Sequence, residues 1–479
     1  MALLPYSEEQ ILERLRFENP WWVTGQIEEY YSSMRHRLYY DLFYPLVSES
    51  DVRRAVVLMG PRRVGKTVLL YHTVEGLLSQ ENNPLKISFI SIETPIYNNI
   101  GLEQLFSLSR KATGQADPKG WYVFFDEIQY LKDWEVHLKS LVDSYPYTRF
   151  IVSGSAAAAL KLKSNESGAG RFTDFMLPPL TFNEFLYLKD LERLILQKDM
   201  EWKGNLNTFF TTNNINVLNE HFLDYINYGG YPEVIFSDKI QSNPGRYIRS
   251  DIVDKVLLRD LPSLYGIRDV QELNSLFTAI AYNSGGECSL DDLSKNSGVQ
   301  KNTIKRYIEY LEAAFLIKTV HKISNKPKQF QRATHFKIYL TNPSLRSALF
   351  APLQPTDPLI GNMVETAVYA QWLHREWFIP YYARWQKGEV DMVGLDDKTQ
   401  APMWAVEIKW SNHFFDHPGD LKALLQFLKD NELKAAMVTT IDKEGIKMVG
   451  DIKLQFVPAA VYAYTVGRNT LIQKQRRNA

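Results

Sequence analysis

The stretch Gly60-Pro61-Arg62-Arg63-Val64-Gly65-Lys66-Thr67 constrains this chain more than any other. It fits G-x-x-x-x-G-K-[ST], a loop whose backbone N–H groups turn toward a phosphate. The spacing carries weight only between a strand and a helix. Ala55-Val56-Val57-Leu58-Met59 before it is an apolar run that reads as a buried strand. Val68-Leu69-Leu70-Tyr71-His72-Thr73-Val74 after it reads as a helix, whose N-terminal dipole favours an anion. Lys66 is placed to reach the β- and γ-phosphates of ATP, and Thr67 to hold Mg²⁺. Gly60 through Val68 are therefore the expected nucleotide-binding residues.

A second half-site follows. Trp121-Tyr122-Val123-Phe124-Phe125-Asp126-Glu127 is an apolar strand ending in two carboxylates. At this distance from the phosphate loop, Asp126 is expected in the magnesium shell and Glu127 as the group that activates water for hydrolysis. Arg149-Phe150-Ile151-Val152 reads as another strand, ending at Ser153-Gly154-Ser155. Ligands of such sheets gather at the carboxyl ends of the strands, so Ser153 and Ser155 are expected beside the γ-phosphate. A plain strand-ending turn is the alternative there.

With 479 residues, two to four domains are expected. Formal net charge is zero, so any nucleic-acid contact must come from a local patch. The single cysteine, Cys288, excludes an internal disulfide and a cysteine zinc cluster, and suits a reducing cytosol. The N-terminus lacks the basic start and apolar core of a signal peptide, and no run of about 18 apolar residues exists. A cytoplasmic protein without a membrane span is the expectation.

Ser7-Glu8-Glu9-Gln10 is a capping-box pattern opening a helix to about Phe17. Trp21, Trp22, Tyr30, Tyr31, Tyr39, Tyr40, Phe43 and Tyr44 follow. They are expected to pack on the adjacent domain or a neighbouring subunit, base stacking being the alternative. Strand patterns at 54–59, 86–92, 121–126, 149–154 and 173–177 alternate with helical ones, which predicts a parallel sheet covered on both faces. Residues 186–275 show no β patterning and read as helices, broken at Tyr228-Gly229-Gly230-Tyr231-Pro232.

From Ser289 the pattern changes. Leu290–Ser297 reads as a short helix capped by Ser289, Gly298 as a turn, and Thr303–Leu311 as a second helix, together a helix-turn-helix. Two β-like runs, 316–323 and 336–341, follow as in a winged helix. No acidic residue occurs between Glu312 and Asp357, a segment carrying Lys318, Lys322, Lys326, Lys328, Arg332, Lys337 and Arg346. DNA contact is expected through Lys301, Lys305 and Arg306 of the second helix and Lys322, Lys326 and Lys328 of the wing. A solvated basic surface is the alternative.

The last segment carries a separate constellation. Gly388–Leu395 and Trp404–Trp410 read as a hairpin. With its turn centred near Thr399, Asp391 faces Glu407 across the strands, and Lys409 shares their face. The two carboxylates are then placed to share a metal ion and Lys409 to orient or activate water. Glu365, on a helical pattern upstream, is placed to add a third carboxylate. A cross-strand ion pair is the plain reading of the same residues.

Taken together, these motifs resemble a prokaryotic family of AAA-type P-loop ATPases. In that family the C-terminal half combines a winged helix with a restriction-endonuclease-like module. The resemblance spans roughly residues 51–460. It rests on the phosphate loop, Phe125-Asp126-Glu127-Ile-Gln, Ser153-Gly154-Ser155, Gly170-Arg171 before Leu177-Pro-Pro-Leu-Thr-Phe-Asn-Glu-Phe, and Gly229-Gly230-Tyr-Pro-Glu. Lys337-Ile-Tyr-Leu-Thr-Asn, Glu389-Val-Asp391 and Glu407-Ile-Lys409 complete it. Asn342 stands where such proteins usually carry aspartate.

The resemblance implies an α/β multidomain chain. It comprises an aromatic-rich helical extension over 1–50, an AAA+ core of the ASCE P-loop type over 51–185 and a helical lid over 186–275. A winged helix over 276–345 and an endonuclease-like domain over 346–479 follow. It also implies Arg171 as an arginine finger for a neighbour's nucleotide. The expected function is an ATP-hydrolysing, DNA-binding AAA+ protein that remodels or translocates on duplex or branched DNA as a homo-oligomeric ring, such as a hexamer. An ATP-gated, Mg²⁺-dependent nuclease defending against foreign DNA is one alternative. A nucleotide-switched DNA- or protein-binding scaffold with an inactive nuclease fold is the other.

Overall fold

The computed structural model describes residues 6–49, 52–155, 170–202, 205–324, 334–375 and 377–478. Two units divide near Pro178. In the first, β1 (Ala55–Gly60), β2 (Ile87–Ser91), β3 (Tyr122–Asp126), β4 (Arg149–Ser155) and β5 (Phe172–Met176) form one parallel sheet in the order β2-β3-β4-β1-β5. Every residue of β1 is buried, which is why it reads as an unbroken apolar run rather than an alternating one. Helices α5 (Lys66–Ser79), α6 (Leu102–Thr113) and α7 (Trp134–Ser144) connect the strands. Leu102, Leu105, Phe106, Leu138 and Leu141 from α6 and α7 join Val123, Phe125 and Val152 in one apolar core.

The N-terminal segment closes an outer strand of that sheet. Helix α1 (Glu8–Glu18) carries the expected capping box at Ser7 and packs Ile11, Leu12 and Leu15 into the core. Past its end, Asn19 is fully buried; its amide donates to Phe89 O at 2.9 Å and accepts from Phe89 N at 2.6 Å. Trp21 and Trp22 both donate their indole N–H to Ile87 O. The free edge of β2 is thus satisfied by side chains, one of the ways an edge strand is kept from pairing with another chain. These two tryptophans pack on the sheet, as expected.

In the second unit nine of the described strands form one sheet in the order β15-β16-β14-β13-β12-β11-β9-β10-β8. They are β8 (Glu287–Ser289), β9 (Ile317–Ile323), β10 (His335–Leu340), β11 (Tyr381–Trp385), β12 (Gly388–Leu395), β13 (Pro402–Glu407), β14 (Ala435–Thr440), β15 (Gly445–Val449) and β16 (Ile452–Pro458). The sheet crosses position 345 without a break, because β9 pairs with β11 in parallel, Tyr381 opposite His321.

One expectation fails in this unit. Residues 195–202 and 205–212 are not helical: β6 (Ile195–Trp202) and β7 (Asn205–Thr212) pair antiparallel from Ile195↔Thr212 to Trp202↔Asn205. Ile195-Leu-Gln-Lys-Asp-Met-Glu-Trp202 is built mostly of good helix formers and lacks apolar alternation. Pairing with β7 overrides that local preference. The helix break at Gly229-Gly230 is as expected, with one helix ending at Tyr228 and the next beginning at Pro232. Among the described residues, no helix is long and apolar enough to cross a membrane.

Candidate functional site

The phosphate loop leaves β1 between its neighbours β4 and β5 and enters α5. Gly65 has φ 90°, a left-handed conformation that glycine adopts without a Cβ penalty. Gly60 is needed for space, since a Cβ there would lie 2.3 Å from Leu177 O. The buried Lys66 donates its ammonium to Gly60 O at 3.1 Å and Pro61 O at 3.0 Å. Arg37 braces the loop from outside: its guanidinium donates to Val64 O and Pro178 O, both at 2.9 Å. Arg62 reaches the hydroxyl of Tyr130 at 3.2 Å. Arg63 is exposed, with φ 64°, and Val68 lies in the first turn of α5.

Asp126, at the end of β3, sits between the start of α5 and the end of β4. Its Oδ2 accepts from Thr67 Oγ1 at 2.8 Å, and its Oδ1 accepts from the hydroxyl of Ser153. Burial, together with the charge of Glu127, pushes its carboxyl up to about 6. Glu127 leaves the strand at φ 55°, a left-handed conformation that costs a non-glycine residue on the order of 1 kcal/mol. Its backbone N–H donates to Ser153 Oγ at 3.2 Å. Its carboxylate accepts from the amide of Gln129, whose Oε1 takes the N–H of Ser155 at 3.1 Å. Ser155 is buried, and among the described residues its hydroxyl has no hydrogen-bond partner.

Lys66, Thr67, Asp126, Glu127 and Ser153 are therefore brought together as the sequence predicts. The residues fit a nucleotide with Mg²⁺: two glycines open the loop, a lysine is held beside it, and a hydroxyl and a carboxylate meet at its end. Arg37 and Gln129 escaped the sequence reading. Gln129 lies two residues past Glu127, and that proximity is the signal the sequence carries for it.

Arg171 is elsewhere. It precedes Phe172, which pairs with Ala55 at the start of β1, and Ala55 N donates to Arg171 O at 2.9 Å. The phosphate loop follows the other end of β1, about 20 Å away at the rise of a strand. Arg171 is ion-paired with Asp143 at 2.6 Å.

In the second unit the hairpin register is the expected one. Met392 pairs with Val406 and Val393 with Ala405, which sets Asp391 opposite Glu407. Lys409 donates to Asp391 Oδ2 at 2.9 Å and to Glu407 Oε1 at 2.8 Å, while Glu407 Oε2 is buried with no hydrogen-bond partner among the described residues. Burial, then the charge of Asp391, pushes the Glu407 carboxyl up to about 8. Burial works against the Lys409 ammonium, but the two carboxylates outweigh it and hold its pKa above the usual range. Glu365, on the helix Ile360–Trp372, accepts from Lys337 at 2.9 Å and Tyr339 at 2.6 Å. Lys337 also pairs with Glu389 at 2.7 Å. Among the described residues, no group of three or more His, Cys, Asp or Glu side chains is disposed to hold a metal ion.

The basic run needs correction. Lys337 and Arg346 are buried, at 3% and 6% exposure, and are not surface charges. Lys301 is paired with Asp291, and Lys322 lies 3.2 Å from Glu287. Lys305 and Arg306 are exposed on the helix Lys301–Ala313. Lys326 and Lys328, with Arg332, lie outside the described residues.

Residues 52–186 match the family described as "AAA domain", and residues 219–356 match the "Domain of unknown function (DUF8612)". With the parallel sheet and the phosphate loop, residues 52–186 are an AAA-type P-loop ATPase domain. The chain is similar to an uncharacterized protein of Methanocaldococcus jannaschii, 24% identical over 404 residues, 82% of this chain and 83% of that one. It is also similar to an uncharacterized protein of Haemophilus influenzae, 24% identical over 395 residues, 81% of this chain and 90% of that one. Among solved structures, the ORC1 protein of Aeropyrum pernix in complex with DNA is matched at TM-score 0.29 and 11% identity, covering 73% of this chain and 93% of that one. A RuvB mutant of Thermotoga maritima is matched at TM-score 0.25 and 16% identity, covering 65% and 89%.

Proposed function

We propose that this chain is an ATP-hydrolysing, DNA-binding AAA+ protein of the cytoplasm that works on DNA as a homo-oligomer. The observation that carries hydrolysis is the junction at Asp126, tied to Thr67 on one side and Ser153 on the other, with Glu127 the next residue. Lys66 exchanges its hydrogen bonds to the Gly60 and Pro61 carbonyls for the β- and γ-phosphates. Thr67 and Asp126 would hold Mg²⁺, which when bound would supply neutralisation of the charge developing on the phosphoryl oxygens. Glu127 takes the proton of the attacking water, and Ser153 and Ser155 stand at the strand end beside the γ-phosphate.

Arg171 acts in trans under this reading. Its place at the far end of β1, about 20 Å from the phosphate loop of its own chain, supports a role at a neighbour's site rather than its own. Arginine fingers contribute about 10³-fold or more in rate. Arg171→Ala and Lys66→Ala proteins, each inactive alone, are expected to recover measurable turnover when mixed. Full activity of the wild type at dilutions where it is monomeric would exclude a shared site.

DNA contact is assigned to a winged helix made of the helices Leu290–Ser297 and Lys301–Ala313 with β8, β9 and β10. Gly298 at φ 75° turns between the helices, and Ile304, Ile308 and Leu311 bury one face of the second, leaving Lys305 and Arg306 outward. Reversing both charges is expected to weaken binding to all duplex sequences alike, because phosphates carry no sequence information. The slope of log K against log salt should flatten by about 2. Binding isotherms at several salt concentrations, with ATP turnover followed with and without DNA, test this. Unchanged affinity would move the DNA site, and turnover indifferent to DNA would favour a scaffold.

The convergence of Asp391, Glu407 and Lys409 favours a second reading, an endonuclease-like module that cuts DNA with Mg²⁺ or Mn²⁺. Nicking of plasmid DNA that Asp391→Ala and Lys409→Ala both abolish would establish it. Tight DNA binding with no cleavage under either metal would leave this module a clamp.

A further inference from the structure

Gln129 occupies the turn Ile128–Tyr130 immediately after the acidic pair. Both ends of its side-chain amide are used: the NH₂ donates to the Glu127 carboxylate, and the oxygen accepts the backbone N–H of Ser155 at 3.1 Å. Ser155 is the last residue of β4, the strand that also supplies Ser153 to Asp126. The amide therefore bridges the group assigned as base to the strand end assigned to the γ-phosphate. Gly154 makes room for it, since a Cβ there would stand 3.1 Å from Gln129 Oε1 and 3.1 Å from Met59 Sδ. The next residue of the turn, Tyr130, receives Arg62 of the phosphate loop. One short turn thus touches the phosphate loop, the base and the end of β4.

We propose that Gln129 is a positioning residue for hydrolysis: its amide fixes the Glu127 carboxylate relative to the end of β4, and it does so without contributing to nucleotide affinity. A carboxylate on a residue already in a left-handed conformation has no helix or strand to hold it. One directed donor leaves the other carboxylate oxygen free for the attacking water. Because the same amide accepts from Ser155, a shift of the β4 end moves Glu127 with it. The inference rests on Glu127 as the base.

The test is a set of single and double variants of the full chain, read by steady-state ATP turnover and by affinity for a non-hydrolysable ATP analogue. Gln129→Ala should lower kcat by about 10–100-fold while KM and analogue affinity stay within about two-fold, the signature of lost orientation rather than lost binding. Gln129→Glu keeps the acceptor for Ser155 N–H but sets a carboxylate against Glu127, so its kcat should fall at least as far. In a Glu127→Gln background, Gln129→Ala should cost nothing further, because both act on one group.

Wild-type kcat in either Gln129 variant, or a loss that adds in full to that of Glu127→Gln, would overturn the proposal. Analogue affinity lost in step with kcat would do the same, by making Gln129 a structural support of the loop. If Glu127→Gln itself turns over normally, the base assignment falls and this proposal with it. An inactive Glu127→Gln beside a normal Gln129→Ala removes Gln129 alone.

Discussion

Glu127→Gln is expected to bind ATP as the wild type does and to hydrolyse it about 10³-fold more slowly. The substitution preserves shape and removes only the basic oxygen. Asp126, Thr67 and Ser153 keep their mutual hydrogen bonds, so the metal-binding end of the site is untouched. Lys66→Ala should fail differently. It removes the ammonium that the loop holds at Gly60 and Pro61, and with it the charge that meets the β- and γ-phosphates. Nucleotide titration and single-turnover hydrolysis separate the two: binding retained with chemistry lost for Glu127→Gln, binding lost first for Lys66→Ala. Normal turnover by purified Glu127→Gln would take Glu127 out of the catalytic role.

That contrast depends on a part of the molecule that is written locally in the sequence. Strands β1 to β5 each lie within a residue or two of their expected limits, because a buried parallel strand is an apolar run stopped by turn residues. The hairpin around Thr399 was equally legible, since a turn position and a period of two fix which side chains share a face. What stayed hidden is long-range pairing. The β6–β7 hairpin is held by partners that local propensity does not announce. Arg37 supports the phosphate loop by bonding to the carbonyls of Val64 and Pro178, and backbone acceptors leave no trace in residue type. Lys337 read as surface charge because it stands in a basic run; only the folded sheet brings Glu365 and Glu389 to it.

Lys409→Met should be the most destabilising single change in the second unit's carboxylate cluster, by about 3 kcal/mol near neutral pH. The ammonium is the shared partner of Asp391 and Glu407, whose side chains are each only 9% exposed. Without it, two buried carboxyls face one another. Burial and the neighbouring charge already push Glu407 up to about 8, so it holds a proton in the folded chain at pH values where the unfolded chain has lost it. A carboxyl with a raised folded pKa favours the folded state fully below its unfolded pKa, and that contribution is lost as pH rises through the folded value.

In Lys409→Met no ammonium offsets the charge that Glu407 acquires beside Asp391 as pH rises, so the deficit against wild type should shrink toward pH 5 and widen toward pH 9. Thermal unfolding across that range gives the sign directly. Adding Asp391→Asn to Lys409→Met should restore part of the loss, since the pair interacts and its effects do not add. The same variant probes the chemistry of the cluster. If Asp391 and Glu407 can share a divalent ion once the ammonium is gone, Mn²⁺ should raise the midpoint of Lys409→Met more than that of wild type. No such gain, together with a pH-independent deficit, would reduce the three residues to a cross-strand ion pair that holds the hairpin.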